Sequence, residues 1–396
     1  MNSTDRRIAA ALSTDENADA AFEAACGELA ARLDGAPDLL VAFYTHHYGP
    51  AIDEFPARLA KRFAPRAQLG CTGESLVAGA REVEHSPALT LWGARLPQTS
   101  LTPVRLEFKR TADGPAILGW PESLSGDWPA GSTLLVLAEP FSFPADWLLE
   151  RINAEHPGVQ VAGGMAGGAF GPGKNRVAVG DRSYADGAVA LLIEGATDVR
   201  TVVSQGCRPI GRPYIVTKSD QQMIQELSGK PPLEQLHELY QELSEPDREL
   251  VARGVHLGRV IDEYKESFGR GDFLVRNVVG ADRATGALAL ADFVRRGQTV
   301  QFHVRDAAAA DEDLRALLAA ARDGFQPDGG LLFTCNGRGS RLFDVADHDA
   351  RAVAEVWPEL PLAGFFAQGE LGPVGGKNFM HGFTACAALF GRRSTP

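Results

Sequence analysis

The residues best suited to bind a small molecule lie in the segment Cys335–Gly339. Its sequence is Cys-Asn-Gly-Arg-Gly, and it follows the apolar run Leu331–Thr334, which predicts a β-strand. Gly337 allows close approach of the backbone, so amide N–H groups could hold an anion and Arg338 could add a bidentate grip. Open α/β sheets bind ligands at the carboxyl ends of their strands, where this segment would lie. A tight turn with a buried thiol explains the segment equally well.

Carboxylates follow glycine in two equivalent segments, at Gly73-Glu74 and Gly369-Glu370. Such a carboxylate could accept hydrogen bonds from a ligand amine or cap the next turn. Glu370 is the better candidate because the polar segment Gly375–Asn378 follows it. Arg276, on a predicted strand, could orient a ligand or form a buried salt link. The predicted binding set is Cys335, Asn336, Gly337, Arg338, Gly339, Gly364, Gly369, Glu370, Asn378 and Arg276.

Established catalytic motifs are absent from the sequence, which contains no GxSxG, HExxH, P-loop or strand-linked GxGxxG pattern. We therefore expect a protein that is not an enzyme. A cysteine-dependent enzyme is an alternative, with Cys335 as nucleophile and His381 or His348 as base if the fold brings one within reach. No metal site is predicted. His237 and His256, placed in a helical region, are the candidate axial ligands if a cofactor such as haem is bound.

The order strand, helix, glycine-rich turn, strand occurs three times along the chain, which indicates internal duplication. About 30 residues separate each first strand from its turn, as a crossover through one helix requires. The first strands begin at Leu39, Leu134 and Leu331; the turns are Gly70–Ser75, Gly163–Gly168 and Gly364–Glu370; the closing strands are Ala88–Gly93, Gly187–Ile193 and Phe383–Phe390.

Two related halves are predicted, because similar segments precede the first and third copies. Helices are expected at Ala18–Leu33 and Glu312–Arg322, each after a strand-like segment, Ile8–Leu12 or Thr299–Val304. We place the halves at residues 1–228 and 229–396, with an extra unit at about 130–195. The predicted fold class is α/β, internally duplicated, with mixed β-sheets and helices packed on their outer faces.

The region 206–296 has a different pattern. Met223–Leu227 and Leu233–Leu243 have apolar spacing typical of two helices. Phe273–Val279 and Ala287–Ala291 predict two strands joined in a hairpin.

Composition favours a soluble cytoplasmic protein. The net charge of −12, from 51 acidic and 39 basic residues, argues against nucleic-acid and anionic-membrane partners. No apolar run approaches the length of a membrane span. The five cysteines are odd in number, widely spaced and never in a CxxC pattern, which is typical of a reducing compartment.

The sequence resembles the FIST family of sensory proteins over almost its whole length, from about Leu39 to Phe390. The segments that carry the resemblance are Gly70–Glu74, Gly163–Gly168, Cys207–Pro213 with Val216-Thr217, Phe273–Arg276, Gly297–Phe302 with Arg305-Asp306, Cys335–Gly339 and Gly364–Glu370.

The resemblance implies a signal-input role, in which the protein binds a small ligand such as an amino acid or derivative and acts through a separate partner. Some bacterial relatives are haem proteins that sense nitric oxide and regulate a histidine kinase, so a haem-based sensor is the alternative. No kinase, cyclase, receiver or F-box segment fits outside the module.

Overall fold

A computed structural model describes residues 6–112 and 114–393 of the chain. These residues form two units, one built from residues up to 203, 314–380 and 384 onward, the other from 204–313 and 381–383. Each unit draws on both predicted halves, so the boundary between residues 228 and 229 stays a prediction.

The N-terminal part of the first unit alternates strands with helices. Its elements are β1 (Arg7–Ser13), α1 (Ala18–Leu33), β2 (Leu39–Thr45), α2 (Phe55–Phe63), β3 (Ala67–Gly73), β4 (Leu76–Ala78), β5 (Arg81–Val83), β6 (Leu89–Arg95), β7 (Thr99–Thr111), β8 (Gly114–Leu118), β9 (Thr133–Ala138), α3 (Ala145–Glu155), β10 (Gln160–Met165), β11 (Val177–Val179), β12 (Arg182–Tyr184), β13 (Ala188–Gly195) and β14 (Thr197–Gln205).

The remaining elements belong to the second unit and to the C-terminal part of the first. They are β15 (Cys207–Asp220), β16 (Met223–Leu227), α4 (Pro232–Glu242), α5 (Glu245–Arg253), β17 (His256–Val260), β18 (Phe273–Asp282), β19 (Ala287–Leu290), β20 (Thr299–Arg305), α6 (Ala307–Arg322), β21 (Gly329–Cys335), α7 (His348–Val356), β22 (Leu362–Ala367), β23 (Glu370–Val374), β24 (Lys377–His381) and β25 (Thr384–Arg392).

Three copies of one motif build the first unit: repeat 1 (39–95), repeat 2 (133–195) and repeat 3 (329–392). In each, a helix joins two parallel strands, β2 to β3, β9 to β10 and β21 to β22, as a parallel pair requires. The closing strand, β6, β13 or β25, pairs antiparallel with the first. The sheets are therefore mixed, and the predicted fold class is confirmed.

Each repeat also sends a hairpin to the sheet of another repeat. The hairpin β4–β5 of repeat 1 pairs with β22, β11–β12 of repeat 2 pairs with β3, and β23–β24 of repeat 3 pairs with β10. The exchange forms a closed cycle. It places Glu370, the first residue of β23, opposite Gly164 on β10.

The core of the first unit follows from the alternation of side chains along the strands. In β2, Leu39, Val41 and Phe43 join one central cluster with residues of all three sheets. Leu40 and Ala42 point the other way and pack with residues of α1 and α2. The central cluster contains strand and loop residues, whereas each outer cluster contains helices, so the helices cover the outer faces.

The predicted glycine turns are wrong, because these segments lie largely within strands β3, β10 and β22. Glycine serves there to let adjacent strands come close. A Cβ atom on Gly163 would lie 1.8 Å from the carbonyl oxygen of Val136, and one on Gly364 would lie 1.8 Å from that of Leu332. The third equivalent, Gly70, has the same kind of contact at 2.6 Å.

The second unit is a closed barrel with strand order β15-β16-β19-β18-β17-β20. The predicted helix at Met223–Leu227 is wrong: the segment is strand β16, whose residues pair with β15 and β19. The apolar spacing of so short a segment is compatible with a helix or with a strand. Its pairing with β15 and β19 in the folded protein makes it a strand. The helix predicted at Leu233–Leu243 is confirmed as α4, and the hairpin as β18–β19.

Thr299–Val304 is not the counterpart of the N-terminal strand, because it forms β20 of the barrel. In the sheet of repeat 3, β14 lies beside β25, which is the position that β1 has beside β6 in the sheet of repeat 1. The counterpart of β1 is therefore β14. No helix in the described part of the chain is long and apolar enough to cross a membrane.

Replacing Gly364 by alanine should destabilise the protein by at least about 3 kcal/mol, because the new methyl group has no space beside Leu332. Gly27→Ala is the matched control. Gly27 lies in α1, and a Cβ atom added there would meet nothing within 4 Å, so alanine should stabilise by up to about 1 kcal/mol. Urea unfolding measures the change in the free energy of unfolding for each variant. Equal changes would contradict the explanation that the strands need glycine at position 364 to approach each other.

Candidate ligand-binding site

Cys335 is the last residue of β21, at the carboxyl end of the parallel pair β21–β22. Its side chain is partly exposed. The chain then forms a tight loop, in which the N–H of Gly337 donates to Sγ of Cys335 at 3.4 Å, and enters a short 3-10 helix at Gly339–Arg341. The end of a parallel strand thus presents a thiol beside a polar loop.

Arg338 is buried and forms a bidentate ion pair with Asp349 at the start of α7. Its Nε and Nη2 lie 2.7 and 2.8 Å from the two carboxylate oxygens, and both side chains are 1% exposed. Thr334 donates to the same carboxylate at 2.6 Å, and Nδ1 of His348 lies 2.9 Å from it. The guanidinium group that we expected to bind a ligand therefore binds a carboxylate of the protein itself.

The Asp349 carboxylate stays ionised although it is buried. Burial opposes ionisation, but the charge and hydrogen bonds of Arg338, with hydrogen bonds from His348 and Thr334, outweigh it and hold the pKa of Asp349 well below its ordinary value. A buried charge requires such a partner. The pair fixes the loop after β21 to helix α7.

The loop also binds a carboxylate through its backbone, as its glycines predict, but that carboxylate is Glu84. The N–H and the hydroxyl of Ser340 donate to Glu84 at 3.0 and 2.7 Å. Gly339 has φ +57°, and a Cβ atom there would lie 2.6 Å from the ring of Phe366. Glycine is required at this position, and the amide of Ser340 is already engaged.

Glu370 is fully buried at the start of β23. Its Oε2 accepts from the N–H of Thr384 at 3.1 Å and from the hydroxyl of Thr384 at 2.7 Å. Burial raises the pKa of Glu370 to about 8, against the opposing effects of Thr384, Arg338 and a hydrogen bond with Cys335. The carboxyl group is therefore largely protonated at neutral pH.

Four residues thus form one group, which we name the Cys335 cluster: Cys335, Asn336, Arg338 and Glu370. Within the described residues, three buried polar atoms of the cluster have no hydrogen-bond partner: Oδ1 of Asn336, Nη1 of Arg338 and Oε1 of Glu370. Buried polar groups almost always have a partner. Oδ1 of Asn336 is an acceptor, Nη1 of Arg338 is a donor, and Oε1 of Glu370 donates when the carboxyl group is protonated and accepts when it is ionised. A small polar ligand or ordered water would satisfy such atoms.

The other predicted binding residues have structural contacts instead. The amide of Asn378 bonds to Asn153, Val159 and Val161, which attaches β24 to repeat 2. Gly364 lies inside the sheet, on β22. The carbonyl of Gly369 accepts from the N–H of Met165 at 2.8 Å.

Arg276 lies in the barrel unit, where its Nε is 2.9 Å from the carboxylate of Asp292. This is the salt link that the sequence offered as its alternative role. Asp349 and Glu84, by contrast, are essential to the geometry around the cluster and were not predicted. Glu84 lies 256 residues from Ser340 in the sequence, whereas Asp349 lies 11 residues from Arg338, and no local motif marks either of them.

The candidate haem ligands do not fit that group. His237 is exposed on α4, where a haem would lack an apolar enclosure. His256 is on strand β17 and not in a helix, with its ring 4.4 Å from that of Phe383 and its cross-strand neighbour His303 beside it. Burial and the charge of Arg305 lower the pKa of His256 to about 4. Its imidazole is neutral, but packed side chains occupy the space beside the ring.

The fold and the cluster define an internally duplicated α/β protein with a polar site at the carboxyl ends of its strands. Comparison with known families identifies it further: the FIST N domain matches residues 38–230 and the FIST C domain matches residues 232–373. The chain belongs to the FIST family, whose domains are sensory domains of signal transduction. The resemblance predicted from the sequence is confirmed.

Similar proteins occur in mycobacteria. The uncharacterised protein Rv0628c of Mycobacterium tuberculosis is 43% identical over 373 residues, which cover 94% of this chain and 96% of the relative. The uncharacterised protein Mb0898c of Mycobacterium bovis is 41% identical over 387 residues, 97% of this chain and 98% of the relative. The similarity therefore spans the first unit and the barrel unit alike.

Replacing Asp349 by alanine should cost about 3–5 kcal/mol of stability, because it leaves Arg338 charged and buried without its partner. Arg351→Ala, on the same helix, is the control. Its ion pair with Asp347 is exposed, so the change should cost no more than about 0.5 kcal/mol. Urea unfolding at neutral pH compares the two, and a small loss for Asp349→Ala would show that the pair does not hold the loop.

Proposed function

We propose that this protein senses a small ligand, which binds at the Cys335 cluster, and that it acts through a separate partner protein rather than by catalysis. The observation that carries the proposal is that Asn336, Arg338 and Glu370 of one cluster each have a buried polar atom without a hydrogen-bond partner among the described residues. A binding site with a few convergent polar groups is the usual form of a small-molecule site. A histidine kinase or another signalling protein is the proposed partner.

The charges of the cluster narrow the ligand class. Asp349 neutralises Arg338, so the cluster lacks the excess positive charge that a strong anion site needs. Asn336 presents an acceptor and Nη1 of Arg338 presents donors, while Oε1 of Glu370 becomes an acceptor when its carboxyl group is ionised. An amino acid or amino-acid derivative fits this arrangement: its ammonium group donates to Glu370 and Asn336, while its carbonyl or carboxylate oxygen accepts from Arg338.

The hairpin exchange supplies a route for the signal. Glu370 starts the hairpin of repeat 3 and pairs with Gly164 in the sheet of repeat 2. A ligand that draws Glu370 toward itself acts on the junction of two repeats. The ligand can affect a partner protein only if it binds one arrangement of that junction more tightly than another.

A reducing, cytoplasmic location is part of the proposal. All five cysteines lie in the described residues and none of them forms a disulfide, which supports a reducing compartment. The net charge of −12 supports a protein partner or small molecule over nucleic acid.

A thermal-shift screen of amino acids and their amides and amines should find at least one stabilising compound, since saturation at 100 times Kd adds about 2.7 kcal/mol. Affinity for an ammonium ligand should rise as the pH increases through about 8, because Glu370 must lose its proton to bind a cation. Glu370→Gln keeps the shape and should abolish both the stabilisation and its pH dependence. Glu16→Gln, at an exposed position, is the control.

A screen in which no compound stabilises the wild-type protein would count against the proposal. Equal stabilisation of wild type and Glu370→Gln would show that a ligand binds elsewhere.

The alternative function is a haem-based nitric-oxide sensor. The surroundings of His237 and His256 argue against it, so protein expressed with added haem should show no Soret band. A Soret band that shifts with nitric oxide and disappears in His256→Ala, but not in the control His237→Ala, would replace the small-metabolite proposal by the haem sensor.

A further inference from the structure

Cys335 differs from the other cysteines in its access to solvent. All five lie in the described residues, and Cys26, Cys71, Cys207 and Cys386 are buried, whereas Cys335 is partly exposed. Burial raises the pKa of the Cys26 and Cys386 thiols to about 12, so they stay protonated and unreactive. Chemistry at a thiol of this protein therefore concentrates on Cys335.

The surroundings of Cys335 favour reaction at sulfur. The Gly337 N–H donates to Sγ at 3.4 Å, and the guanidinium of Arg338 attracts the thiolate electrostatically. Hydrogen-bond donors and a cation beside sulfur stabilise the thiolate, which is the reactive form. Glu370 is hydrogen-bonded to Cys335 and fully buried. The thiol therefore has both a carboxylic acid and hydrogen-bond donors in its surroundings.

Two buried atoms of the residues around Cys335 indicate a co-reactant. Arg338 interacts electrostatically with Cys335, and Glu370 is hydrogen-bonded to it. Nη1 of Arg338 and Oε1 of Glu370 are buried and have no hydrogen-bond partner among the described residues. One is a donor, and the other belongs to a group that can give up a proton. Together they match a small molecule with two adjacent oxygen atoms, one to be attacked and one to leave with a proton.

We propose that Cys335 is an oxidation site for hydroperoxides, with Arg338 as the group that holds the peroxide and Glu370 as the proton donor. This oxidation site goes beyond ligand sensing. It does not depend on the proposed ligand, although both would use the Cys335 cluster. Because Cys335 is only partly exposed, the site favours a compact oxidant such as hydrogen peroxide over bulky alkylating reagents.

In the proposed reaction, the Cys335 thiolate attacks the terminal, hydrogen-bearing oxygen of the hydroperoxide, an S–O bond forms and the O–O bond breaks. The leaving oxygen takes the proton of the Glu370 carboxyl group, and the proton that the thiol lost on ionising replaces it. Sulfur is oxidised by two electrons to the sulfenic acid, while the peroxide is reduced to water or an alcohol. Donation from Nη1 of Arg338 stabilises the negative charge on the leaving oxygen.

The test is oxidation of the full-length reduced protein with less than one equivalent of hydrogen peroxide, followed by dimedone trapping and peptide mass spectrometry. The adduct should form on Cys335 and not on the four buried cysteines. Glu370→Gln should lower the rate by about 100-fold, the scale of general acid catalysis, while Glu16→Gln should react like the wild type. The wild-type rate should fall above about pH 8, where Glu370 loses its proton, and this fall should be absent in Glu370→Gln.

Labelling spread over all five cysteines, or a Cys335 rate no greater than that of free cysteine, would overturn the proposal. If Glu370→Gln is oxidised at the same rate as the wild type, Glu370 is not the proton donor, and the proposal is overturned as well. Cys335→Ser should lose the dimedone adduct. The thermal-shift screen of the reduced wild-type protein involves no oxidation at sulfur, so it tests ligand sensing separately: failure of one experiment leaves the other proposal standing.

Discussion

The parallel strand pair of each repeat leaves an edge whose N–H and C=O groups need partners, and a hairpin from another repeat provides them. Because the exchange is cyclic, the repeats of the first unit do not form three independent sheets. Their inward side chains share one central cluster, which includes Phe43, Leu137 and Phe333. The same exchange creates the candidate site, since Glu370 comes with the hairpin that completes the sheet of repeat 2.

Close approach of the strands depends on the absence of a side chain at three equivalent positions, Gly70, Gly163 and Gly364. In repeats 2 and 3, the Cβ of any other residue would lie 1.8 Å from a carbonyl oxygen of the neighbouring strand. This explains why glycine recurs at a fixed place in each copy. The sequence analysis places these glycines in turns and includes Gly364 in the predicted binding set, whereas in the structure all three are needed for close packing of the strands.

The buried pair of Arg338 and Asp349 determines the electrostatics of the site. Nε and Nη2 of Arg338 bind the carboxylate, which neutralises the guanidinium charge, and Nη1 has no hydrogen-bond partner among the described residues. Burial keeps Glu370 largely protonated against the opposing effect of the Arg338 charge. The proposed ligand with its own positive charge and the proposed oxidant both rest on this balance.

Much of this arrangement is determined by the sequence itself. Short apolar runs such as Leu39–Tyr44 and the helix between each strand pair indicate an α/β fold with internal repeats, because the apolar pattern and the crossover length are local properties of the sequence. The same locality places Cys335 at a strand end. Contacts between separate elements are not determined by local sequence, so only the tertiary structure decided that Arg338 binds Asp349 of helix α7, that Glu84 of repeat 1 occupies the loop amide of repeat 3 and that Met223–Leu227 is a strand of the barrel. A short apolar run fits either structure, and a charge has no preferred partner until the chain has folded around it.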